Sequence, residues 1–240
     1  MVKRYKKDST VSYALGFTLT FELMNRKPEK ANRVYFHTSI EKNEAYYRLC
    51  KLCDQHNVEM VTSDKPFHIL SQKENCYVIG EFEKFKNALE ADKPHVVLVN
   101  PSNAGNLGTI MRSALGFDVK NLAIIRPAVD IYEPKTVRAS MGAVFGLNCQ
   151  YFDTFEEYQN LYEDHDMYPF MLKATKTLHE IEPKEKFSLI FGNEATGLPD
   201  SFLEVGTSTI IPHSHNIDSL NLPIAASIAL YEATKSAFKR

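Results

Sequence analysis

Asn103-Ala104-Gly105-Asn106-Leu107-Gly108-Thr109-Ile110-Met111-Arg112 follows the apolar run 95–100, and its reading decides the fold. Leu107, Ile110, Met111 and Ala114 recur three and four apart, so the segment predicts a strand, a polar turn and then an amphipathic helix over 107–117. Gly108 and Arg112 are four apart and fall on one side, away from that stripe. The missing side chain at Gly108 leaves room for a phosphate to approach the guanidinium, and a helix N-terminus favours an anion. A plainer reading stands beside it, in which Asn106 caps the helix and Arg112 is merely solvated.

Two more polar, glycine- or asparagine-bearing stretches end predicted strands. Gly192-Asn193-Glu194-Ala195-Thr196-Gly197-Leu198 follows the apolar run 187–191. Its glycines permit close backbone approach, and the Glu194 carboxylate can accept hydrogen bonds from a ribose, an arginine or backbone amides. Glu194 as an ordinary turn residue is the alternative. The third stretch runs from Ile211-Pro212 through Ser219-Leu220-Asn221 to Leu222-Pro223, where the proline suits the first turn of a helix over 223–238. That helix carries Ala225, Ala226, Ala229 and Ala233 and is apolar on nearly every side, which predicts burial, in part against a second copy of the chain.

Runs at 95–100, 121–126, 147–152, 168–173, 187–192 and 208–212 read as strands, with helices near 107–117, 134–145, 154–164, 199–205 and 223–238. This alternation predicts a mostly parallel sheet covered by helices on both faces. Ligands bind such sheets at the carboxyl ends of the strands, where all three polar stretches fall. Residues 1–92 form a smaller α/β unit, with helices near 12–25 and 43–56 and strands near 32–38, 58–62 and 75–82. A charged connection ending in Pro94 separates it from a second domain, 93–240.

The bulk numbers exclude several classes. At 240 residues, 44% hydrophobic and 24% charged, the chain can fill one or two cores and is not disordered. No apolar run reaches about 18 residues and the N-terminus lacks a signal-peptide stretch, so a cytoplasmic location is expected. A net charge of −2 argues against nonspecific coating of nucleic acid. The charge is uneven: residues 1–95 carry 16 Lys/Arg against 13 Asp/Glu, and 96–240 carry 12 against 17. Cys50 and Cys53 lack a second ligand pair and His213/His215 lack a third ligand, so no metal is expected. Gly-x-Gly-x-x-Gly is absent, which disfavours a dinucleotide site, and no Gly-x-Ser-x-Gly elbow surrounds Ser219.

In residue type, order and spacing the three stretches resemble the signature motifs of the SpoU (TrmH-type) branch of the SPOUT RNA methyltransferases. Arg138-Ala139-Ser140-Met141-Gly142-Ala143 resembles a further segment between them. The resemblance covers 96–240. More loosely, Ala14-Leu15-Gly16, Arg33-Val34-Tyr35-Phe36 and Val78-Ile79-Gly80-Glu81 make 1–90 similar to the ribosomal-protein-like RNA-binding domain that precedes the catalytic domain in many members; the usual glutamine-glycine before the last strand is absent. The apolar helix 223–238, with the first of the three stretches, is expected to build a homodimer. The resemblance implies a deep trefoil knot and S-adenosylmethionine held by the backbone around Gly192, Ile211 and Leu220. It places Asn106, Arg112, Glu194, Ser219 and Asn221 on the family's polar positions around a reacting ribose. The implied reaction is 2′-O-methylation of RNA, with ribosomal RNA preferred over transfer RNA. The rival readings are an RNA-binding protein that kept the fold without chemistry, and a knotted tRNA-guanine methyltransferase.

Overall fold

The computed structural model describes residues 2–70 and 75–238. By contacts the chain divides into two units, 1–85 with 130–146, and 86–129 with 147–240.

The first unit contains β1 (Val11–Leu15), α1 (Phe17–Arg26), β2 (Ala31–Phe36), α2 (Glu44–Gln55), β3 (Glu59–Thr62), α3 (Lys65–Leu70) and β4 (Val78–Glu83). Its sheet has the order β1-β4-β2-β3, antiparallel except for β2 with β3. The helix expected over 12–25 is a strand followed by a helix. Ser12, Tyr13 and Ala14 are all buried, and Gly16, at the positive φ of 102° that favours glycine, makes the turn into α1. The three segments carrying the ribosomal-protein-like signal lie in neighbouring strands: Ala14 and Val34 both pair with Gly80. α1 buries Leu19, Leu23 and Met24, spaced for one helix face.

Residues 130–146 group with this unit, which a single boundary near 92 does not capture. Ser12 donates its hydroxyl to the Tyr132 carbonyl, and Tyr5 donates to Asp130. Lys84 pairs with Asp130 at 3.0 Å, and Phe82 meets the Phe145 ring edge-on at 5.0 Å. Two elements lie in the segment, α5 (Pro134–Ala139) and a 3₁₀ turn over Ala143–Gly146. Gly142, at φ 84°, has no room for a side chain: a Cβ would stand 2.6 Å from Glu22 Cβ on α1. Sequence alone could not reveal this, since the segment's apolar residues suit either core.

The second unit contains β5 (His95–Val99), α4 (Ala104–Gly116), β6 (Asn121–Ile125), β7 (Asn148–Phe152), α6 (Phe155–Leu161), β8 (Asp166–Pro169), β9 (Lys176–Thr177), β10 (Phe187–Phe191), β11 (Thr209–Ile210) and α7 (Leu222–Thr234). Five strands in the order β7-β6-β5-β10-β8 form one wholly parallel sheet, and β9 and β11 pair separately. β5, β6 and β10 are buried throughout, as mainly apolar strands in a two-sided parallel sheet must be; each also buries one polar residue, His95, Asn121 or Ser188. Val97, Val99, Ala123, Ile125 and Ile190 face Phe155 and Tyr158 of α6. The alternating Val96, Leu98, Leu122, Ile124 and Leu189 fall on the opposite face, where α7 contacts β10 and α4.

Chain order turns back between β5 and β10: β6 and β7 extend one way, β10 and β8 the other. Such a switch point opens a crevice at the carboxyl edge of the sheet. Among the described residues no helix is long and apolar enough to cross a membrane.

Candidate functional site

Helix α4 begins three residues earlier than the apolar stripe suggests. Asn103 is its cap, its Oδ1 accepting the Gly105 and Asn106 amides at 2.8 and 3.1 Å. Asn106 therefore lies inside the first turn, its side chain free for other use. Its Nδ2 donates to Glu194 Oε1 at 3.3 Å. Gly108 is buried, whereas Arg112 is exposed and makes no hydrogen bond or ion pair with any described residue. The two do not share the open face expected from their spacing: Gly108 faces the interior of the unit, where α4 meets α7 and Ser113 and Ser227 join their hydroxyls at 2.7 Å.

Glu194 is held from several sides. Ser102 donates its amide at 3.1 Å and its hydroxyl at 2.8 Å to Oε2, and the Asn103 amide donates to Oε1 at 3.1 Å. Partial burial alone pushes its pKa up. Hydrogen bonds from its own amide, Ser102 and Asn106 together outweigh that and hold the carboxyl below the usual range, so it stays ionised. Ser102 was missed in the sequence because a lone serine after a strand carries no pattern; only the crossing of the two loops brings it to Glu194.

The turn that presents Glu194 is closed on itself. Asn193 Oδ1 accepts the Ala195 amide at 2.9 Å, the Gly197 amide donates to the Asn193 carbonyl at 2.8 Å, and Asn193 Nδ2 reaches the Asn100 carbonyl at 2.8 Å. A Cβ on Gly192 would lie 2.1 Å from the Gly197 carbonyl carbon. What approaches Gly192 is thus its own loop, with Gly197 at φ 69° completing the turn.

Around that loop lies a cavity of roughly 400 Å³, within the range usual for small-molecule sites. Gly192, Glu194, Ile211, Ser219 and Leu220 all line it, together with the segment 170–173 after β8 and Leu222 and Ala225 of α7. The sequence had extended that strand to 173; instead it ends at Pro169, and its continuation forms a wall. Phe170 stacks on Phe191 at 4.7 Å, while Met171, Leu198, Ile210 and Leu220 make the lining largely apolar. Such walls suit a flat heterocycle, with the backbone of three loops offering polar groups at the rim. His213 donates Nδ1–H to the Ile211 carbonyl at 2.8 Å, which fixes the third loop locally.

Asn106, Arg112 and Asn221 do not line this cavity. Asn106 joins it through Glu194. Asn221 is the residue before α7, where its carbonyl accepts the Ile224 and Ala225 amides at 3.0 Å; its exposed side chain makes no hydrogen bond to a described residue. Within a single chain α7 is covered on one side. Pro223, Ala226, Ala229 and Leu230 are covered, but Ile224, Ile228 and Tyr231 remain 53%, 38% and 58% exposed.

A family model, the SpoU rRNA Methylase family, matches residues 93–231. The chain belongs to this family. An uncharacterized tRNA/rRNA methyltransferase of Synechocystis sp. is 32% identical over 143 residues, covering 58% of this chain and 52% of that protein. The 23S rRNA (uridine(2479)-2′-O)-methyltransferase of Streptomyces viridochromogenes is 30% identical over 148 residues, covering 58% and 52%. The chain thus spans about half the length of these curated relatives. The crystal structure of an AdoMet-bound rRNA methyltransferase from Sinorhizobium meliloti superposes with a TM-score of 0.82 at 23% identity, covering 96% of this chain and 89% of that one. That likeness extends the shared fold over both units.

Proposed function

We propose that this protein is an S-adenosylmethionine-dependent RNA methyltransferase that modifies a ribose 2′-hydroxyl, of ribosomal RNA in preference to transfer RNA. The observation that carries the reading is the joining of Asn106 to Glu194 at the edge of a largely apolar cavity. The cavity's size, flat apolar walls and backbone rim fit an adenosyl group. Backbone around Gly192, Ile211 and Leu220, which line the cavity, would hold it. When bound, the cofactor supplies a methyl on a sulfonium, which needs no protonation to leave.

The remaining demands fall on the chain. The acceptor oxygen must be aligned and its proton removed. Arg112, a planar guanidinium with five donors and no acceptor, is suited to gripping an RNA phosphate rather than to accepting a proton. The proton therefore leaves through that phosphate or water. Glu194, ionised and saturated with hydrogen bonds, is a positioning residue that ties the 192–198 loop to α4. Ser219 and Asn221, whose side chains make no hydrogen bond to a described residue and which lie just before or at the start of α7, orient the acceptor ribose.

On the same reading the C-terminal strands are threaded as a deep trefoil knot. Residues 1–92 serve as the RNA substrate-binding domain and 93–240 as the SPOUT methyltransferase domain, with 130–146 packed on the former. The protein acts as a homodimer: Ile224, Ile228 and Tyr231, spaced four and three on α7, form an apolar stripe that a second copy covers.

Incubation with labelled S-adenosylmethionine and total RNA from cells lacking the protein, followed by nucleoside analysis, tests the reaction. A 2′-O-methylnucleoside is expected. A base-methylated guanosine would favour the tRNA-guanine enzyme instead. Failure to bind S-adenosylmethionine by calorimetry would favour an RNA-binding protein without chemistry.

A further inference from the structure

A second cavity, of roughly 580 Å³, opens at the switch point itself, between the loops that leave β5, β6 and β10. Asn193, Thr196 and Gly197 line both cavities, so a single turn of chain separates them. Ser102, in the wall of the second, holds the Glu194 carboxylate in the wall of the first.

Its lining has a definite chemical character. No charged side chain belongs to it, and Pro101, Pro127 and Pro199 supply rigid walls without amide donors. A phosphate would meet no cation there. Asn100 is the unusual member. It holds the left-handed conformation at φ 55°, its amide donates to the Ile125 carbonyl at 3.0 Å, and its carbonyl accepts Asn193 Nδ2 at 2.8 Å. With the backbone committed in this way, its side-chain amide is left without a hydrogen bond to any described residue. A free carboxamide offers a donor and an acceptor side by side, which matches the edge of a nucleobase.

We propose that this cavity receives the base of the nucleotide to be methylated, read by the Asn100 carboxamide, while its ribose lies beside Glu194. The inference rests on the RNA methyltransferase reading and adds to it a specificity-determining residue. An uncharged flat ring is the ligand class, and a base can enter only from a single-stranded or flipped-out nucleotide.

Two variants test it in the full-length protein. Asn100→Gly keeps the left-handed backbone and removes the carboxamide, and Ala128→Phe fills the cavity from the loop after β6. With total RNA from cells lacking the protein as substrate, both should raise KM for RNA by about tenfold, the worth of one lost hydrogen bond to a desolvated edge. S-adenosylmethionine affinity should stay within about twofold on calorimetry. Asn100→Gly should also release more than one kind of 2′-O-methylnucleoside where the wild type releases one, which a merely structural role would not cause. Unchanged KM and unchanged nucleoside identity in both variants would overturn the proposal, as would a parallel loss of cofactor affinity. A wild-type protein that transfers no methyl to RNA would instead remove the reading beneath it.

Discussion

Ser102 donates to Glu194 Oε2 through both its amide, at 3.1 Å, and its hydroxyl, at 2.8 Å, pinning the loop after β10 to the loop after β5. Ser102→Ala removes the hydroxyl bond and leaves the amide. A stability loss of about 1 kcal/mol in denaturant unfolding is expected. Methyl transfer should fall more than S-adenosylmethionine binding does, because the loop's tie to α4 loosens while the apolar walls persist. Because the carboxyl is held below its ordinary pKa, its stabilising contribution is present at neutral pH and is lost as pH falls through the folded value. The variant should show less of that acid loss.

Arg112 is exposed and makes no hydrogen bond or ion pair with a described residue, so its removal should leave folding untouched. Arg112→Ala is expected to change stability by less than about 0.5 kcal/mol and to abolish methyl transfer. Arg112→Lys retains the charge but not the planar fork, and should remain severely impaired. A lysine variant of near wild-type activity, rising as pH approaches about 10, would favour a base at this position. Full activity of the alanine variant would take Arg112 out of the reaction.

His95 lies fully buried at the other end of the sheet. Nε2–H donates to the Glu90 carbonyl at 2.9 Å, so Nδ1, which accepts the Tyr158 hydroxyl at 2.9 Å, must be unprotonated. Burial, with the neighbouring His165, pushes its pKa down to about 4, against the hydrogen bond to Glu90. In the unfolded chain it titrates near its ordinary value of about 6.5. Between these values the unfolded state binds more protons, so stability should fall as pH drops from about 6.5 towards 4 and then level off, by about 3 kcal/mol in all. Urea unfolding across that window checks this; His95→Gln should flatten the profile.

The exposed stripe on α7 gives the dimer a sharp test. Ile228→Glu should yield monomers in light scattering with little change in the unfolding of the monomer. Ala229→Glu is a poor probe, because Ala229 is fully buried within its own unit and a carboxylate there would unfold it. An Ile228→Glu protein of unchanged mass at micromolar concentration would refute the interface.

Residues 130–146 bury Tyr132, Val137 and Phe145 in the first unit. A chain shortened to 86–240 would expose them. It should be poorly soluble and melt well below the full-length protein, whereas replacing Tyr132 and Phe145 with polar residues in the short chain should recover solubility. A short chain as stable as the parent would show that the segment repacks.

Much of the second unit could be read from order and periodicity. Continuous apolar runs such as 95–99 and 187–191 are long enough to demand a two-sided sheet, and the polar stretches after them fall where strand ends meet solvent. The resemblance to family motifs named Asn106, Arg112, Glu194, Ser219 and Asn221 because residue type and order are local properties; of these, Glu194 and Ser219 line the cavity. Tertiary structure decided the rest, for reasons that are not local. β10 inserts beside β5 although more than 80 residues separate them, and only that pairing brings Ser102 to Glu194 and opens two cavities on either side of one turn. Composition gave α7 an apolar circumference, but which half is covered depends on where α4 and β10 lie. The strand at 11–15 and the lodging of 130–146 in the first unit likewise follow from hydrogen bonds and buried rings between distant segments, which no window of sequence contains.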